Sequence, residues 1–314
     1  MNVAITGGTG FIGSRLARAH VARGDRVRIL TRAPSRAAGS APGAEAVIGD
    51  LTASSRSLEA FANGCDVLYH CAGEVRRAEA MHPVHVAGTS SLIAAAGNRI
   101  GHWVQLSSVG VYGPLREGLV DESRPLAPRG EYETTKAESE RLVETAAASG
   151  MFSCTILRPS NVFGPGMPNR SLFRLLSVMN RGLFFFIGQP GASANYIHVS
   201  NVVDALISCG TLPAAKGRAY NLSDFRTMEQ FVAAIAASLG KPPPSMRFPE
   251  RPVRWLARVL GGLPGFPLSA SRVDALTSRV NYSTNRIENE IGYVHRLSME
   301  EGLRQLVASW REEK

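Results

Sequence analysis

A glycine-rich octapeptide, TGGTGFIG at residues 6–13, follows the first apolar run of the chain and opens its first helical pattern. It satisfies both GxxGxxG (Gly7, Gly10, Gly13) and GxGxxG (Gly8, Gly10, Gly13). Glycines at this spacing permit a tight turn, let the backbone approach a pyrophosphate and let helix and strand pack closely, while the helix N-terminus supplies unpaired N–H donors. The octapeptide therefore predicts a βαβ unit that binds a dinucleotide.

Short β-branched runs alternate with helical patterns through the first half of the chain, which is typical of a parallel sheet with crossover helices. Strands are predicted at 3–6, 26–31, 46–49, 67–71, 103–107 and 154–157, and helices at 14–23, 55–62, 84–96 and 131–148. We therefore expect an α/β fold with a Rossmann-type doubly wound parallel sheet, whose ligand lies beyond the carboxyl ends of the strands.

After Pro159 glycine and proline become frequent and the alternation is lost. We place a dinucleotide-binding domain at 1–160 and a smaller C-terminal substrate-binding lobe at 161–314. The strand, helix and strand predicted within 195–222 are expected to return to the main sheet. A last helix is expected from Ser298 to the C-terminus.

Composition restricts the possible classes of protein. A chain of 314 residues with 44% hydrophobic content can form one large domain, or one domain with a smaller partner. No apolar run reaches membrane-spanning length, and the first strand begins too early for a signal peptide. Four separated cysteines without a CxxC pair indicate reduced, buried thiols: Cys65, Cys71, Cys154 and Cys209. We expect a cytoplasmic protein with no membrane span and no metal site.

The formal net charge of +9 raises the local concentration of anionic ligands, such as dinucleotides and sugar nucleotides. No cluster of Lys and Arg with interleaved aromatic residues is present, so we do not expect nucleic acid as a partner. Arginines alternate with apolar residues at 247–258, which predicts an amphipathic surface helix; a helix that contacts a membrane is the alternative.

Tyr132 and Lys136 form a YxxxK pair, whose i, i+4 spacing places both side chains on one face of a helix. A phenol titrates at about 10, and a nearby ammonium lowers its pKa by favouring the phenolate. Ser108, at the end of the predicted strand 103–107, would hold a substrate oxygen against Tyr132. These three residues are our predicted catalytic set, with Ser108 also contacting substrate and Lys136 also holding a nicotinamide ribose.

The end of the second strand usually decides the cofactor, because a carboxylate there accepts the ribose hydroxyls of NAD. Here the strand ends at Thr31 and is followed by Arg32, with Arg36 close by. A guanidinium pairs with phosphate through two parallel hydrogen bonds, so we expect NADP(H) in preference to NAD(H). Asp50 could accept a hydrogen bond from the adenine amino group or could cap the helix that starts near Ser55.

The chain resembles the extended short-chain dehydrogenase/reductase family, which includes nucleotide-sugar epimerases, dehydratases and reductases and 3β-hydroxysteroid and dihydroflavonol-type dehydrogenases. The resemblance covers essentially the whole chain. Its motifs are TGGTGFIG from Thr6, GDL from Gly49, HCAG from His70, GT from Gly88, SSVGVYG from Ser107, YETTK from Tyr132, RPSNVFGPG from Arg158, NYIHVSNVVDA from Asn195 and YNLSD from Tyr220.

The resemblance implies that Ser108, four residues before the tyrosine of VYG, is the catalytic serine. It also implies that Asn161 lies where relatives hold a substrate diphosphate, and that the segment after the fourth strand lines the cofactor. Motifs and resemblance together assign the cofactor site to Gly7, Gly10, Phe11, Ile12, Gly13, Arg32, Arg36, Asp50, Leu51, Cys71, Ala72, Gly73, Tyr132, Lys136 and Pro159.

Departures from the family pattern restrict the subgroup. Dehydratases carry an Asp-Glu pair directly after the catalytic position, where this chain has Val109 and Gly110, so dehydration is set aside. Many UDP-sugar epimerases place a diphosphate-binding Arg where this chain has Ala194. The charge could come instead from one of four arginines, of which we place Arg279 in the substrate site: Arg170, Arg174, Arg272 and Arg279. His85 replaces the usual Asn before the VxGT motif, and we expect it to be structural.

We expect an NAD(P)-dependent enzyme that acts on a secondary alcohol or ketone of a nucleotide-linked sugar, as a 4-ketoreductase or an epimerase. The pattern after residue 242 is equally similar to the hydroxysteroid and dihydroflavonol branch, which leaves an apolar alcohol as the alternative substrate. The alternative outside the enzymes is a sensor protein that binds NADP without turnover. The resemblance also implies a homodimer formed through the helices at 84–96 and 131–148.

Overall fold

The computed structural model describes residues 1–53, 55–260 and 269–313. Its strands are β1 Asn2–Thr6, β2 Arg26–Thr31, β3 Glu45–Ile48, β4 Cys65–His70, β5 Ile100–Leu106, β6 Glu117–Val120, β7 Ser153–Pro159, β8 Asn161–Phe163, β9 Phe186–Ile187, β10 Ser193–His198, β11 Arg218–Leu222, β12 Asp224–Thr227, β13 Arg247–Phe248 and β14 Arg279–Tyr282. Its α-helices are α1 Gly13–Ala22, α2 Pro34–Ser40, α3 Ser55–Ala62, α4 Ala78–His82, α5 Gly88–Ala96, α6 Glu131–Ala148, α7 Ser171–Asn180, α8 Val199–Thr211, α9 Met228–Leu239, α10 Glu250–Leu260, α11 Ala270–Thr277, α12 Asn285–Ile291 and α13 Met299–Glu312.

The main sheet has seven parallel strands in the order β11-β7-β5-β4-β1-β2-β3. All six predicted strands belong to it, with ends that differ by a few residues. The chain runs outward from β1 to β3 and then returns to the other side of β1 at β4, so the strand order reverses between β1 and β4. A doubly wound sheet of the Rossmann type is thereby confirmed, and its ligand crevice is expected at this reversal.

Helices cover both faces of the main sheet, so its strands are apolar on both sides. Val3 and Ile5 of β1 pack into the core that contains Leu16 of α1 and Val202 of α8. Ala4, between them, packs on the opposite face with the core of α3, α5 and α6. The period-two alternation of a strand thus divides one apolar run between two cores.

Only part of the segment 195–222 joins the main sheet. Helix α8 packs on the sheet, and β11 pairs with β7 at its edge. Strand β10 lies instead in a three-stranded sheet, between β8 and the antiparallel β12, because Asn161–Phe163 takes the parallel position beside it. The division into domains at residue 160 stays a prediction.

A second core forms beside the small sheet from α7, α9 and α13. The ring of Tyr196 stacks on that of Phe231 with the centroids 4.5 Å apart. Phe184 and Phe186 belong to this core, whereas Phe185 contacts Phe248 at 5.0 Å between ring centroids. The three adjacent aromatic side chains therefore alternate in direction, as expected of a buried strand.

Two helices differ from their predicted extent. The helix predicted at 84–96 starts at Ala78 and runs through α4, a π-helical turn at Pro83–Ala87 and α5. Pro83 does not end it: Pro83 stands at the first position of the π-helical turn, where the bonding pattern changes from α-helical. The last helix begins at Met299 and is capped by the Ser298 hydroxyl, which accepts from the Glu301 N–H. Across the ranges described above, no helix is both long and apolar enough to cross a membrane.

A buried ion pair fixes α6 to the sheet. Arg158 of β7 contacts Glu140 of α6 at 2.7 Å, with 7% and 1% of the two side chains exposed. The same guanidinium donates to the Tyr112 hydroxyl at 2.9 Å, and that hydroxyl donates to Asn221 Oδ1 of β11 at 2.9 Å. One buried network therefore holds α6, two strands and the turn after β5 in fixed register.

We expect Glu140→Gln to lower the free energy of unfolding by about 3 to 5 kcal/mol, since it leaves a buried guanidinium uncompensated. Denaturant unfolding with NAD(P) absent would measure this. Glu301→Gln, which removes the carboxylate of the exposed Arg304–Glu301 pair, is the control and should leave stability unchanged. Equal small effects of the two changes would show that the buried network does not stabilise the fold as described.

Candidate active site

The glycine loop lies against the segment that follows β4. Gly7 has φ of +67°, and a Cβ on it would lie 2.7 Å from the Ala72 backbone nitrogen. A Cβ on Gly13 would lie 2.3 Å from the Gly7 carbonyl oxygen. Both positions therefore require glycine for steric reasons. The loop stands at the reversal between β1 and β4, and the N-terminus of α1 opens there, so its shape fits a dinucleotide pyrophosphate.

A buried hydrogen-bond chain lies beneath this loop. The Ala72 N–H donates to Thr6 Oγ1 at 3.2 Å, Thr6 Oγ1 lies 2.7 Å from His70 Nδ1, and His70 Nε2 lies 2.9 Å from Thr89 Oγ1. Because the Thr89 hydroxyl donates to the His85 carbonyl, His70 must donate from Nε2 and accept at Nδ1 from Thr6. Burial lowers the pKa of His70 to about 3, so the ring is neutral.

His85 connects the loop after β4 to helix α6. Its Nε2 accepts from the Glu74 N–H at 2.9 Å, so Nδ1 carries the proton and donates to Thr135 Oγ1 at 2.8 Å. Burial, with the nearby charge of Lys136, lowers the pKa of His85 to about 3. Both ring nitrogens are engaged by the protein, which agrees with the structural role expected of this residue.

Ser108, Tyr132 and Lys136 lie together at the carboxyl end of β5. The Ser108 hydroxyl accepts from the Gly110 N–H at 3.1 Å, and its effect on the Tyr132 side chain is to lower the pKa of that phenol. Lys136 is buried, and its Nζ donates to the Leu106 carbonyl at 2.7 Å. Helical spacing in α6 and the end of β5 therefore bring the predicted catalytic side chains to one place.

The expectation that Lys136 lowers the pKa of Tyr132 is wrong for this arrangement. Burial and, to a smaller extent, the Glu133 carboxylate together raise the pKa of Tyr132 to about 12, against an opposing effect of Ser108. Burial also lowers the pKa of Lys136 to about 8. Desolvation disfavours the charged form of both groups, and the ammonium is directed to the Leu106 carbonyl.

Glu133 is a site residue that the motifs did not identify. Its Cγ lies 3.0 Å from the position that a Cβ on Gly110 would take, and its Oε2 lies 2.1 Å from the corresponding position on Gly130. A carboxylate therefore reaches the space beside Gly110 from α6, although residues 109 and 110 carry none. The signal available in the sequence was a Glu directly after the tyrosine of YxxxK, with glycines at both contact positions.

Residues predicted to select the cofactor lie after β2 and β3. Arg32 is exposed, with its Nη1 3.5 Å from Asp50 Oδ2, and Arg36 is exposed on α2. Asp50 Oδ1 accepts from both the N–H and the hydroxyl of Thr52 at 3.0 Å, which lowers the pKa of Asp50. Asp50 thus stabilises the turn after β3. The buried Leu51 packs beneath it, against Gly88.

The segment after β4 faces the catalytic set. A Cβ on Gly73 would lie 3.3 Å from His85 Nε2 and 3.8 Å from Lys136 Nζ. Burial raises the pKa of Cys71 to about 12, so its thiol is neutral. All four cysteines are free thiols, and no group of three His, Cys, Asp or Glu side chains suitable for a metal ion occurs within the ranges that the structure describes.

The two side chains predicted to contact substrate, Asn161 and Arg279, already donate hydrogen bonds to backbone carbonyls. The Asn161 amide donates to the Asn195 carbonyl at 3.2 Å, and the Arg279 guanidinium donates to the carbonyls of Gln189 and Pro190, both at 3.1 Å. Ala194 is buried. Both Asn161 and Arg279 therefore have hydrogen-bond partners within the protein. Pro159, predicted to contact the cofactor, is buried at the end of β7.

Two further arginines bind the loop at 164–168, one from the start of α1 and one from the segment after β4. Arg15 donates to the carbonyls of Phe11 and Pro165 at 2.8 and 2.6 Å, and its guanidinium lies 4.7 Å from the Phe11 ring centroid. Arg76 donates to the Pro168 carbonyl at 2.8 Å. Phe11 is thereby held over the start of α1, while Ile12 packs on the main core. No motif identified either arginine.

The model of the NAD dependent epimerase/dehydratase family matches residues 3–223. The chain belongs to this family. It is 31% identical to 4-hydroxy-2-methyl-3-oxo-4-farnesyl-3,4-dihydroquinoline-1-oxide ketoreductase of Stigmatella aurantiaca, over 96% of this chain and 95% of that protein. It is 29% identical to 3 beta-hydroxysteroid dehydrogenase/Delta 5-->4-isomerase of Mycobacterium tuberculosis, over 93% and 85%.

Among solved structures, UDP-glucuronic acid 4-epimerase from Bacillus cereus in complex with NAD has the same fold, with a TM-score of 0.77, 17% identity and coverage of 100% of this chain and 99% of that one. Membership of the epimerase/dehydratase family makes this chain an extended short-chain dehydrogenase/reductase, and an NAD(P)-dependent oxidoreductase or epimerase. The glycine cradle and the segment after β4 fit that cofactor.

The buried ammonium of Lys136 should lower the free energy of unfolding. Its lowered pKa means that the folded state disfavours the ammonium, so the cost is full below about pH 8 and disappears as the pH rises to the ordinary lysine value of 10.5. We expect Lys136→Met to raise the free energy of unfolding at pH 7 by about 1 kcal/mol, after the loss of the bond to Leu106 is counted.

Denaturant unfolding of the cofactor-free protein from pH 7 to pH 10 would test this, with Lys241→Met at an exposed lysine as the control. The difference from wild type should shrink between pH 8 and pH 10 for Lys136→Met alone. A destabilised Lys136→Met protein, with a difference that does not change with pH, would contradict the assignment.

Proposed function

We propose that this enzyme transfers hydride between NAD(P) and the carbon of a secondary alcohol or ketone, with Ser108, Tyr132 and Lys136 as its catalytic residues. The observation that carries the proposal is that α6 brings Tyr132 and Lys136 to the carboxyl end of β5, beside Ser108. Lys136 Nζ donates to the Leu106 carbonyl, and Glu133, next to Tyr132, lies 3.0 Å through its Cγ from the Cβ position of Gly110, whose N–H donates to Ser108. A sensor without turnover would not need all three groups in one place.

Each residue has a defined task in the proposed reduction. Ser108 donates to the substrate carbonyl oxygen and holds it beside Tyr132. Tyr132 gives its phenolic proton to that oxygen as the carbon receives the hydride, and the phenolate then takes a proton from solvent. Lys136 would hold the nicotinamide ribose. In the oxidation direction the same proton returns to Tyr132. Bound NAD(P) supplies or accepts the hydride.

The cofactor would be held by three groups of residues. Gly7, Gly10 and Gly13, with Phe11 and Ile12, would hold the pyrophosphate at the start of α1. Asp50 and Leu51 would contact the adenine, and Arg32 and Arg36 its ribose. Cys71, Ala72, Gly73, Tyr132, Lys136 and Pro159 would surround the nicotinamide half.

An apolar cyclic ketone or alcohol is the substrate class that the site favours. A nucleotide sugar needs a cation for its diphosphate, yet Ala194 is a buried small residue and Arg279 is engaged by two carbonyls. The two relatives compared above carry names that describe a farnesylated ring system and a steroid as substrates. A 4-ketoreductase or epimerase of nucleotide sugars is the second candidate, supported by the net charge of +9 and by Asn161 at the relatives' diphosphate position.

Substitution of the proposed acid should strongly reduce turnover. Tyr132→Phe should lower kcat by about a hundredfold to ten-thousandfold, because it removes the proton donor, while NAD(P)H still binds. Tyr69→Phe is the matched control, since it removes a buried hydroxyl that has no partner, and it should keep full activity.

Nicotinamide absorbance with cyclic ketones and with keto-sugar nucleotides would measure this activity. Turnover of sugar nucleotides alone would reject the favoured substrate class. Unchanged kcat in Tyr132→Phe would reject the proposed mechanism, whatever the substrate.

We propose NADP(H) as the preferred cofactor, because no carboxylate follows β2 and the exposed Arg32 has only a 3.5 Å contact to Asp50. Arg32→Ala should weaken NADPH binding about tenfold to a hundredfold and leave NADH binding unchanged. Fluorescence titration of both cofactors would measure this, with Arg56→Ala on α3 as the control. Tightly retained NAD in the purified protein, or equal losses for both cofactors, would show that Arg32 does not select the phosphate.

We also propose a cytoplasmic homodimer formed through α5 and α6. The support for it is the family resemblance, and the mass of the protein in solution would decide whether two chains associate.

A further inference from the structure

Helix α10 carries an apolar outer face that no described part of the chain covers. Trp255 is 64% exposed, Val259 57% and Leu256 37%, and Phe248, which precedes the helix, is 42% exposed. Exposed apolar side chains are common singly, but these follow one another along the same surface.

The inner face of α10 is fixed to the protein. Ala257 is buried in a small core with Ile187 and Val273. Arg254 donates to Glu250 Oε1 and to Asp274 Oδ1, both at 2.6 Å, which attaches α10 to α11. Since the inner face already has its partners, the outer face is not the surface by which this helix packs in the fold.

Two arginines border the outer face on one side. Successive helix residues are about 100° apart, so Arg251 and Arg258, seven residues apart, lie almost on one line along the helix. Trp255 and Val259 follow next around the helix, and Leu256 lies beyond them. Arg251 and Arg258 are exposed and form no ion pair with any residue that the structure describes, unlike Arg254.

We propose that the outer face of α10 binds the surface of an anionic lipid bilayer. Trp255, Val259 and Leu256 would enter the boundary between headgroups and acyl chains, with Arg251 and Arg258 placed beside the lipid phosphates. An indole and guanidinium groups at the edge of an apolar stripe are the side chains that suit this boundary. The net charge of +9 favours approach to the same surface.

A second copy of the chain is a poorer occupant for this face. An 11-residue helix is about 16 Å long and about 10 Å wide, so its outer face presents a few hundred Å² at most. A stable protein interface buries about 800 Å² on each partner. The paired arginines would also repel each other across a symmetric contact. Bilayer binding by α10 does not depend on the reaction proposed above, because it concerns only where the enzyme is located.

Vesicle partitioning of the full-length protein tests the proposal. We expect binding to vesicles of phosphatidylcholine with phosphatidylglycerol and weak or no binding to phosphatidylcholine alone. Trp103 and Trp310 are buried, so a blue shift of tryptophan fluorescence on binding would come from Trp255. Ser substitution of both Trp255 and Val259 should reduce partitioning about tenfold or more.

Charge reversal separates a local contact from general attraction. Arg251→Glu with Arg258→Glu should reduce partitioning about tenfold or more. Arg56→Glu with Arg26→Glu changes the net charge equally at two exposed arginines on α3 and β2, and should leave partitioning within about twofold. Circular dichroism and NADPH binding would confirm that each variant is folded.

Three outcomes would overturn the proposal: no binding of the wild type to either vesicle, equal losses in the two charge-reversed proteins, or binding to neutral vesicles as strong as to anionic ones. A dimer in gel filtration that Arg251→Glu with Arg258→Glu dissociates would assign the face to a second copy instead.

Discussion

The close approach of two backbone segments, the glycine loop and the segment after β4, determines where this enzyme can do chemistry. A Cβ on Gly7 would overlap the backbone at Ala72, so the contact exists only because residue 7 has no side chain. The hydrogen-bond chain through Thr6, His70 and Thr89 then fixes both segments to the start of α5. The residues of the site at the carboxyl ends of β1, β4 and β5 are positioned relative to this contact.

Two polar connections fix α6, the helix of Tyr132 and Lys136, relative to this contact. On one side His85 bridges the loop at Glu74 to Thr135 of α6. On the other, the buried Arg158–Glu140 pair fixes α6 to β7. Because α6 is held from both sides, Tyr132 and Lys136 keep their place relative to Ser108 without a bound ligand. Histidine suits this position, because its two ring nitrogens reach a donor and an acceptor on different elements.

Features carried by short segments of the sequence could be predicted, and features that depend on contacts between distant segments could not. The strands of the main sheet are apolar runs buried on both faces, so they could be predicted. The proposed catalytic residues sit in short motifs, which is why they could be named from the sequence. Strand β8, with three residues, and the pairing of β6 with β14 depend on contacts between distant segments. The contact of Arg15 with Pro165, 150 residues away, leaves no trace in a motif because every residue offers a carbonyl. Arg279 and Asn161 were predicted from type and place, but their engagement by backbone carbonyls could not be foreseen.

Burial acts in the same sense on both members of the proposed catalytic pair, Tyr132 and Lys136. It raises the pKa of Tyr132 and lowers that of Lys136, so it favours the uncharged form of both groups. A protonated phenol is ready to donate to a carbonyl oxygen, whereas alcohol oxidation needs a phenolate that this site disfavours. Glu133 acts in the same sense, because its negative charge makes the phenolate less stable. The cofactor-free chain therefore keeps Tyr132 protonated, and a phenolate at this position would need additional positive charge nearby to stabilise it.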